Sequence, residues 1–271
     1  MRERPDVSVV IVAWRARADV LRCLAALQRD AGVSYEVIVV DDGSGDDTGS
    51  AVRRRFPDAS VVEKRSNEGL VRGRNTALPI VRGRYVLMID ADTEVRPGAL
   101  PALVAALGRA DVGIAAPRLL NEDGSLQLSC RRYPPLLLPL LRRGPLARIW
   151  PNPRSHQRHL MMDFDHEQAR PVVWVSGAAQ MWRAELPARI GPYDDRISSY
   201  GGEDLDWCLR TWAAGAEVWY VPEAEIVHRW QKLTNRSPFS LKSFRALRDW
   251  YYLQWKHRRL RADPRLRKAN A

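Results

Sequence analysis

Cysteine is scarce: three residues in 271, Cys23, Cys130 and Cys208, without a CxxC pair. That excludes a disulfide framework and a cysteine zinc site, and it fits a reducing cytosol. Long apolar runs are missing too. The longest, "PPLLLPLL" at 134–141, falls far short of the ~20 residues of a membrane span. The opening "MRERPDVSVVIVAW" has only a short apolar run before charge resumes at Arg15, so it reads as a strand rather than a signal peptide. Internal repeats are absent, as is any evident Ser–His–Asp or Cys–His set. Acidic residues are outnumbered, 32 against 43 Lys and Arg, for a net charge of +11. None occurs between Arg131 and Arg158, and the stretch from Lys242 onward is mostly basic. This balance points to an anionic partner, such as nucleic acid, an acidic membrane face or a phosphorylated substrate. No helix–turn–helix, zinc or RNP-type pattern supports nucleic acid.

What is present is a regular alternation. Apolar, β-rich runs at 7–13, 35–44, 59–64, 85–90 and 112–119 are separated by helical patterns at 18–30, 46–56, 68–81 and 97–110. Val20, Leu21, Leu24 and Leu27 make one helical stripe, and Pro97 suits a first turn. The alternation predicts an α/β fold with a mostly parallel sheet flanked by helices, its ligand lying beyond the carboxyl ends of the strands. The second half is less regular: a strand and turn at 172–183, a helix at 203–214, a strand at 216–222, and a long basic, aromatic helix over about 240–260.

The strand tips carry the chemistry. "YVLMIDADTEV" (85–95) ends a buried strand in Asp90 and Asp92. Paired buried acids repel, and a divalent cation with hard oxygen ligands, Mg²⁺ or Mn²⁺, relieves both the repulsion and the burial. Taken alone, the two Asp equally suit a turn cap. "VVDDGSGDDT" ends another strand in Asp41 and Asp42, able to accept hydrogen bonds from a nucleobase or ribose, or simply to shape an Asp-Gly turn. "NEGLVRGRN" sets Asn67, Gly69, Arg72, Arg74 and Asn75 at a helix start, suited to phosphate or to a solvated basic face. In "GGEDLDWCLR", Leu205, Cys208, Leu209 and Trp212 form the buried stripe. Asp204 and Asp206 flank that stripe on opposite sides, and Glu203 points away from it.

In order, "VSVVIVAW", "VVDDGSGDDT", "NEGLVRGRN", "MIDADTEVRPGAL", "VSGAAQMWR" and "GGEDLDWCLR" resemble the family 2 glycosyltransferases, inverting enzymes of the GT-A fold, over roughly residues 7–230. The likeness is greatest to bacterial rhamnosyltransferase-type enzymes of cell-surface polysaccharide assembly. It implies that Asp41 holds the nucleotide base, with the backbone near Ala13 bordering the same pocket. It implies that Asp90 lies near the ribose and Asp92 binds the metal on the diphosphate, with His228 of "AEIVHRW" as a further ligand. Asp204 matches the catalytic base, while Gly177 and Glu203 fall on the acceptor side. Residues 1–120 would then hold a nucleotide-sugar donor, 121–235 a saccharide acceptor and the base, and 236–271 a basic helix and tail. That helix, with Phe244, Leu247, Trp250, Tyr251 and Trp255 among its basic residues, suits an anionic membrane surface, as does the greasy, arginine-rich 131–150. The expectation is a peripheral enzyme of the cytoplasmic leaflet acting on a polyprenyl-diphosphate-linked saccharide. A haloacid-dehalogenase-like phosphatase also uses a DxD, but Glu94 stands where that motif needs Thr or Val.

Overall fold

The computed structural model describes residues 4–30, 32–135, 154–197, 202–229 and 241–271, with side chains of the last segment from 245 onward. Residues 136–150 of the greasy, arginine-rich stretch and the side chain of Phe244, both read above as lipid-facing, lie outside the described residues. The first half alternates as expected: β1 (Val7–Ala13), α1 (Arg17–Leu27), β2 (Tyr35–Asp41), α2 (Thr48–Arg55), β3 (Ser60–Glu63), α3 (Leu70–Ala77), β4 (Tyr85–Asp90), β5 (Thr93–Val95), α4 (Ala99–Leu107) and β6 (Val112–Leu120). Then follow β7 (Leu126–Gln127), β8 (Cys130–Arg131), α5 (Arg154–His159), β9 (Arg170–Pro171), β10 (Trp174–Val175), β11 (Ala179–Arg183), α6 (Leu186–Ile190), α7 (Gly202–Ala213), β12 (Glu217–His228), α8 (Leu241–Lys256) and α9 (Pro264–Ala269).

The large sheet runs β3-β2-β1-β4-β11-β6-β12-β5. Alternate residues of its central strands enter opposite cores. Val9 and Ile11 join Leu87 and Ile89 on one face, and Val10 joins Val86 and Met88 on the other. That two-sided burial is why these strands read as continuous apolar runs rather than alternating ones.

Two departures from the sequence reading build the site. First, β11 enters antiparallel between β4 and β6, with Ala179 opposite Ile89. The Asp90 amide donates to Ala178 O at 2.9 Å, so the turn containing Gly177 lies beside the end of β4. Second, β12 continues to His228 instead of ending at 222. A register shift between Val221 and Glu225 accommodates Pro222, which lacks a ladder donor. The far end of β12 then pairs antiparallel with β5, setting His228 opposite Thr93.

Smaller corrections have local causes. Cys23 joins Val20, Leu24 and Leu27 on the buried face of α1, and Leu21 packs partly buried at its edge. Pro97 precedes α4 instead of opening it, because the buried Asp30 carboxylate caps the helix by accepting from the Gly98 and Leu100 amides at 2.8 and 2.9 Å.

Candidate active site

The turn between β4 and β5 is closed by Thr93, whose Oγ1 donates to Asp90 O at 2.8 Å. It presents the side chains of Asp90 and Asp92 beyond the strand end. From β12, His228 Nε2 comes within 3.4 Å of Asp92 Oδ1. Its other nitrogen, Nδ1, lies 2.6 Å from Gln127 Oε1. The Gln127 amide is itself oriented, because Nε2 donates to Asn121 Oδ1 (3.0 Å) and His228 O (3.2 Å). Gln127 Oε1 therefore accepts the Nδ1 proton, and Nε2 faces the carboxylates as a potential ligand.

One donor atom from each of Asp90, Asp92 and His228 lies within 4.8 Å of the others. The two carboxylates suit Mn²⁺ or Mg²⁺, and the added imidazole favours Mn²⁺ of the two. The electrostatics fit a cation as well. Enclosure pushes the Asp90 carboxyl up to about 6 despite the opposing charges of Arg74 and His228. Burial would lower His228, but its hydrogen bond to Asp92 and the charges of Asp90 and Asp92 prevail and raise it.

Beside this cluster lies Asp204, in the first turn of α7. Its Oδ2 accepts from the Gly177 amide at 2.8 Å, and its Oδ1 accepts from Arg74 Nη1 at 2.9 Å. A side chain at position 177 could not coexist with this arrangement, since a Cβ there would fall 1.9 Å from Asp204 Oδ1. The glycine thus seats the acid directly. Arg74 is only 2% exposed. Its Nη2 donates to Gly177 O at 3.0 Å and lies 3.5 Å from Asp90 Oδ1, so one guanidinium joins the metal-type cluster to Asp204. Burial alone would disfavour its charge, but Asp204, Asp90 and Glu203 outweigh that and hold it protonated.

Glu203 does not point outward as the helical wheel implied. The first turn of α7 sinks into the site, and Glu203 Oε1 lies 3.9 Å from Arg74 Nη1 with the residue buried. Burial and the neighbouring Asp204 charge raise its carboxyl well above the usual range, outweighing Arg74. Asp206, on the other side of the stripe from Asp204, is fully buried against Arg210, Lys256 and His257.

The expected phosphate ligands separate. Residues 72 and 74 sit ~200° apart around a helix, so Arg72 is exposed, 3.8 Å from Asp195, while Arg74 turns inward. The Asn75 carboxamide is committed to the backbone of Tyr193, donating to its O and accepting from its N, both at 2.9 Å. Asn67 is exposed, and Gly69 takes the positive φ of 91° that lets the chain enter α3. Ala13 and Asp41 are paired at adjacent strand ends. The Asp41 carboxylate accepts from Ser44 N (2.9 Å) and Gly49 N (3.2 Å), holding its own turn. Asp42, which carried no separate assignment, accepts from the amides of Glu68 and Gly69 and pairs with Lys64 at 2.8 Å. The doubled Asp was its signal. Gln127 and Tyr193 had none, since their roles depend on contacts 101 and 118 residues away.

Residues 8–159, more than half of the chain, match the family model described as Glycosyl transferase family 2. The chain belongs to glycosyl transferase family 2. This glycosyltransferase is 29% identical over 249 residues to N-acetylglucosaminyl-diphospho-decaprenol L-rhamnosyltransferase of Mycobacterium tuberculosis, covering 86% of this chain and 78% of that one. Its fold is shared with GalNAc-T7 solved with UDP, GalNAc and Mn²⁺ (TM-score 0.68, 16% identity), covering 94% of this chain and 48% of that one. It is also shared with a mannosyltransferase from Pyrobaculum calidifontis solved with GDP-Man and Mn²⁺ (TM-score 0.62, 20% identity, 99% and 72% covered). The mixed α/β architecture is thus of the GT-A type, and the family sets aside the phosphatase reading.

Proposed function

We propose that this glycosyltransferase moves a sugar from a nucleotide-diphosphate donor to a hydroxyl of a lipid-linked saccharide, with inversion at the anomeric carbon. The observation that carries this is the convergence of Asp90, Asp92 and His228 with Asp204, bridged by Arg74. Asp204 removes the acceptor proton. Two donors fix its orientation, and a carboxylate's remaining lone pairs stay available for the hydroxyl. The acceptor oxygen forms its bond to the anomeric carbon as the bond to the diphosphate oxygen breaks, and the electron pair leaves with the diphosphate. Asp90, Asp92 and His228 would hold Mn²⁺ or Mg²⁺, which supplies charge neutralisation for the leaving group. No covalent intermediate is needed.

In this reading residues 1–120 bind the donor, with Ala13, Asp41, Asn67, Gly69 and Arg72 at its rim. Residues 121–235 bind the acceptor, with Glu203 and Gly177 beside the base. The rhamnosyltransferase relative makes dTDP-rhamnose the first candidate donor, ahead of a UDP-hexose, and makes a polyprenyl-diphosphate-linked sugar the candidate acceptor. Among the described residues no helix is long and apolar enough to cross a membrane. On α8, Tyr251 and Trp255 are 46% and 63% exposed, and the exposed Arg258 guanidinium lies 5.0 Å from the Trp255 ring, a face suited to the anionic cytoplasmic leaflet.

The test is a thermal-shift panel of dTDP, UDP and GDP with and without Mn²⁺, followed by hydrolysis of the matching sugar nucleotides. Metal-dependent stabilisation by one nucleotide, with slow hydrolysis of its sugar conjugate, is expected. No stabilisation by any of the three contradicts the reading.

A further inference from the structure

Asp204 rests on two supports that are remote from each other in sequence. One is α7, which carries it. The other is the loop at 192–197, which backs its arginine: the Tyr193 ring stacks on Trp207 at 4.1 Å and 13°, and the Arg74 guanidinium lies 5.4 Å from that ring.

We propose that Lys256 is a positioning residue for the reaction, tying these two supports together. Its Nζ lies 2.7 Å from Asp206 Oδ1, two residues beyond Asp204 on α7, and 2.8 Å from Asp194 Oδ2, the residue after Tyr193. The inference rests on Asp204 being the base, as in the function proposed above.

The neighbouring groups each hold one side of this bridge. Arg210 Nε and His257 Nε2 contact Asp206, both at 2.7 Å. Arg196 Nη2 and Tyr252 Oη contact Asp194, both at 2.8 Å. Loss of the Lys256 ammonium therefore leaves each carboxylate with two partners, so neither is stranded and the fold persists. What disappears is the one side chain among the described residues that contacts both carboxylates, leaving the Tyr193–Trp207 stack to join loop and helix without an ionic tie. A base must be held to a fraction of an ångström, and small misplacement from a remote site lowers turnover more than binding. The end of α8 thereby becomes part of the catalytic support, although it contributes nothing to the site's surface.

Lys256→Met keeps the apolar stem and removes the charge, while Lys256→Arg restores a cation that can span both acids. Arg259→Met, exposed and outside the network, controls for charge loss. In hydrogen exchange of the full chain, Lys256→Met is expected to speed amides 193–197 and 202–206 about fivefold, with β1 and β4 unchanged. Lys256→Arg returns them toward wild type. For whichever of dTDP-rhamnose, UDP-GlcNAc and GDP-mannose wild type hydrolyses fastest, Lys256→Met lowers kcat about tenfold with KM nearly constant. Arg259→Met changes neither readout. Unchanged exchange at 202–206 in Lys256→Met overturns the proposal, as does a raised KM with kcat intact. Should wild type hydrolyse none of the three, the functional reading fails, and the exchange result still decides the bridge.

Discussion

The two halves of this sheet use aspartate differently. On the β1–β2 side, Asp30, Asp41 and Asp42 are each within hydrogen-bond reach of at least two backbone amides. They build loops and helix starts. Around β4, β12 and α7, the acids face other acids, a histidine or a buried guanidinium: Asp90 and Asp92 with His228, and Glu203 and Asp204 with Arg74. A carboxylate bonded to its own turn lowers the energy of one backbone conformation. Carboxylates crowded together remain costly until a cation or a proton arrives, and that stored demand is what a reaction can use.

Substitutions should separate these roles. Asp204→Asn keeps the Arg74 contact but cannot accept the acceptor proton, so kcat should fall ~10²–10⁴-fold with nucleotide-induced thermal shifts retained. Steady-state kinetics beside the thermal-shift panel check this. Gly177→Ala drives a Cβ into the same carboxylate. It should lower stability by about 1–3 kcal/mol and turnover ~10²-fold, read by urea unfolding and hydrolysis rate. Asp42→Ala should lower stability by about 1–3 kcal/mol while kcat stays near wild type. Asp41→Ala sharpens the contrast: a fall in Tm alone marks it as a turn builder, whereas a raised donor KM with Tm intact marks it as a base-binding acid.

The smallest effect is set by pH. Arg196, with Lys256 and Tyr252, holds Asp194 well below the usual carboxylate range. Burial would raise Asp206, but His257, Arg210 and Lys256 overcome it and lower it as well. Carboxylates depressed in the folded state stabilise it fully above their unfolded value of about 3.9 and lose that contribution as pH falls through the folded values. The Tm gap between wild type and Asp194→Asn should therefore hold steady above about pH 4 and close below it. A gap that widens on acidification contradicts the assignment.

Much of this was legible in the residues. The apolar runs marked β1, β2, β4 and β6, and the DxD and ED pairs marked the acids, because local patterns encode strands and turns. The pairing of distant pieces was not legible. Nothing in "VSGAAQMWR" announces an antiparallel strand beside β4, and Pro222 reads as a strand end although a bulge carries the chain on to His228. Arg74 read as suited to phosphate because it is an arginine near a helix start. Only the three-dimensional approach of Gly177 and Asp204 shows that it serves the acids.

Pulsed electron paramagnetic resonance of Mn²⁺, added with whichever nucleotide of the panel stabilises the protein, reads the proposed seating of one divalent cation on Asp90, Asp92 and His228 beside Asp204. Nitrogen modulation from a bound imidazole should appear in wild type and in Asp204→Asn and vanish in His228→Ala. Modulation that survives in His228→Ala, or is missing from wild type, contradicts the account.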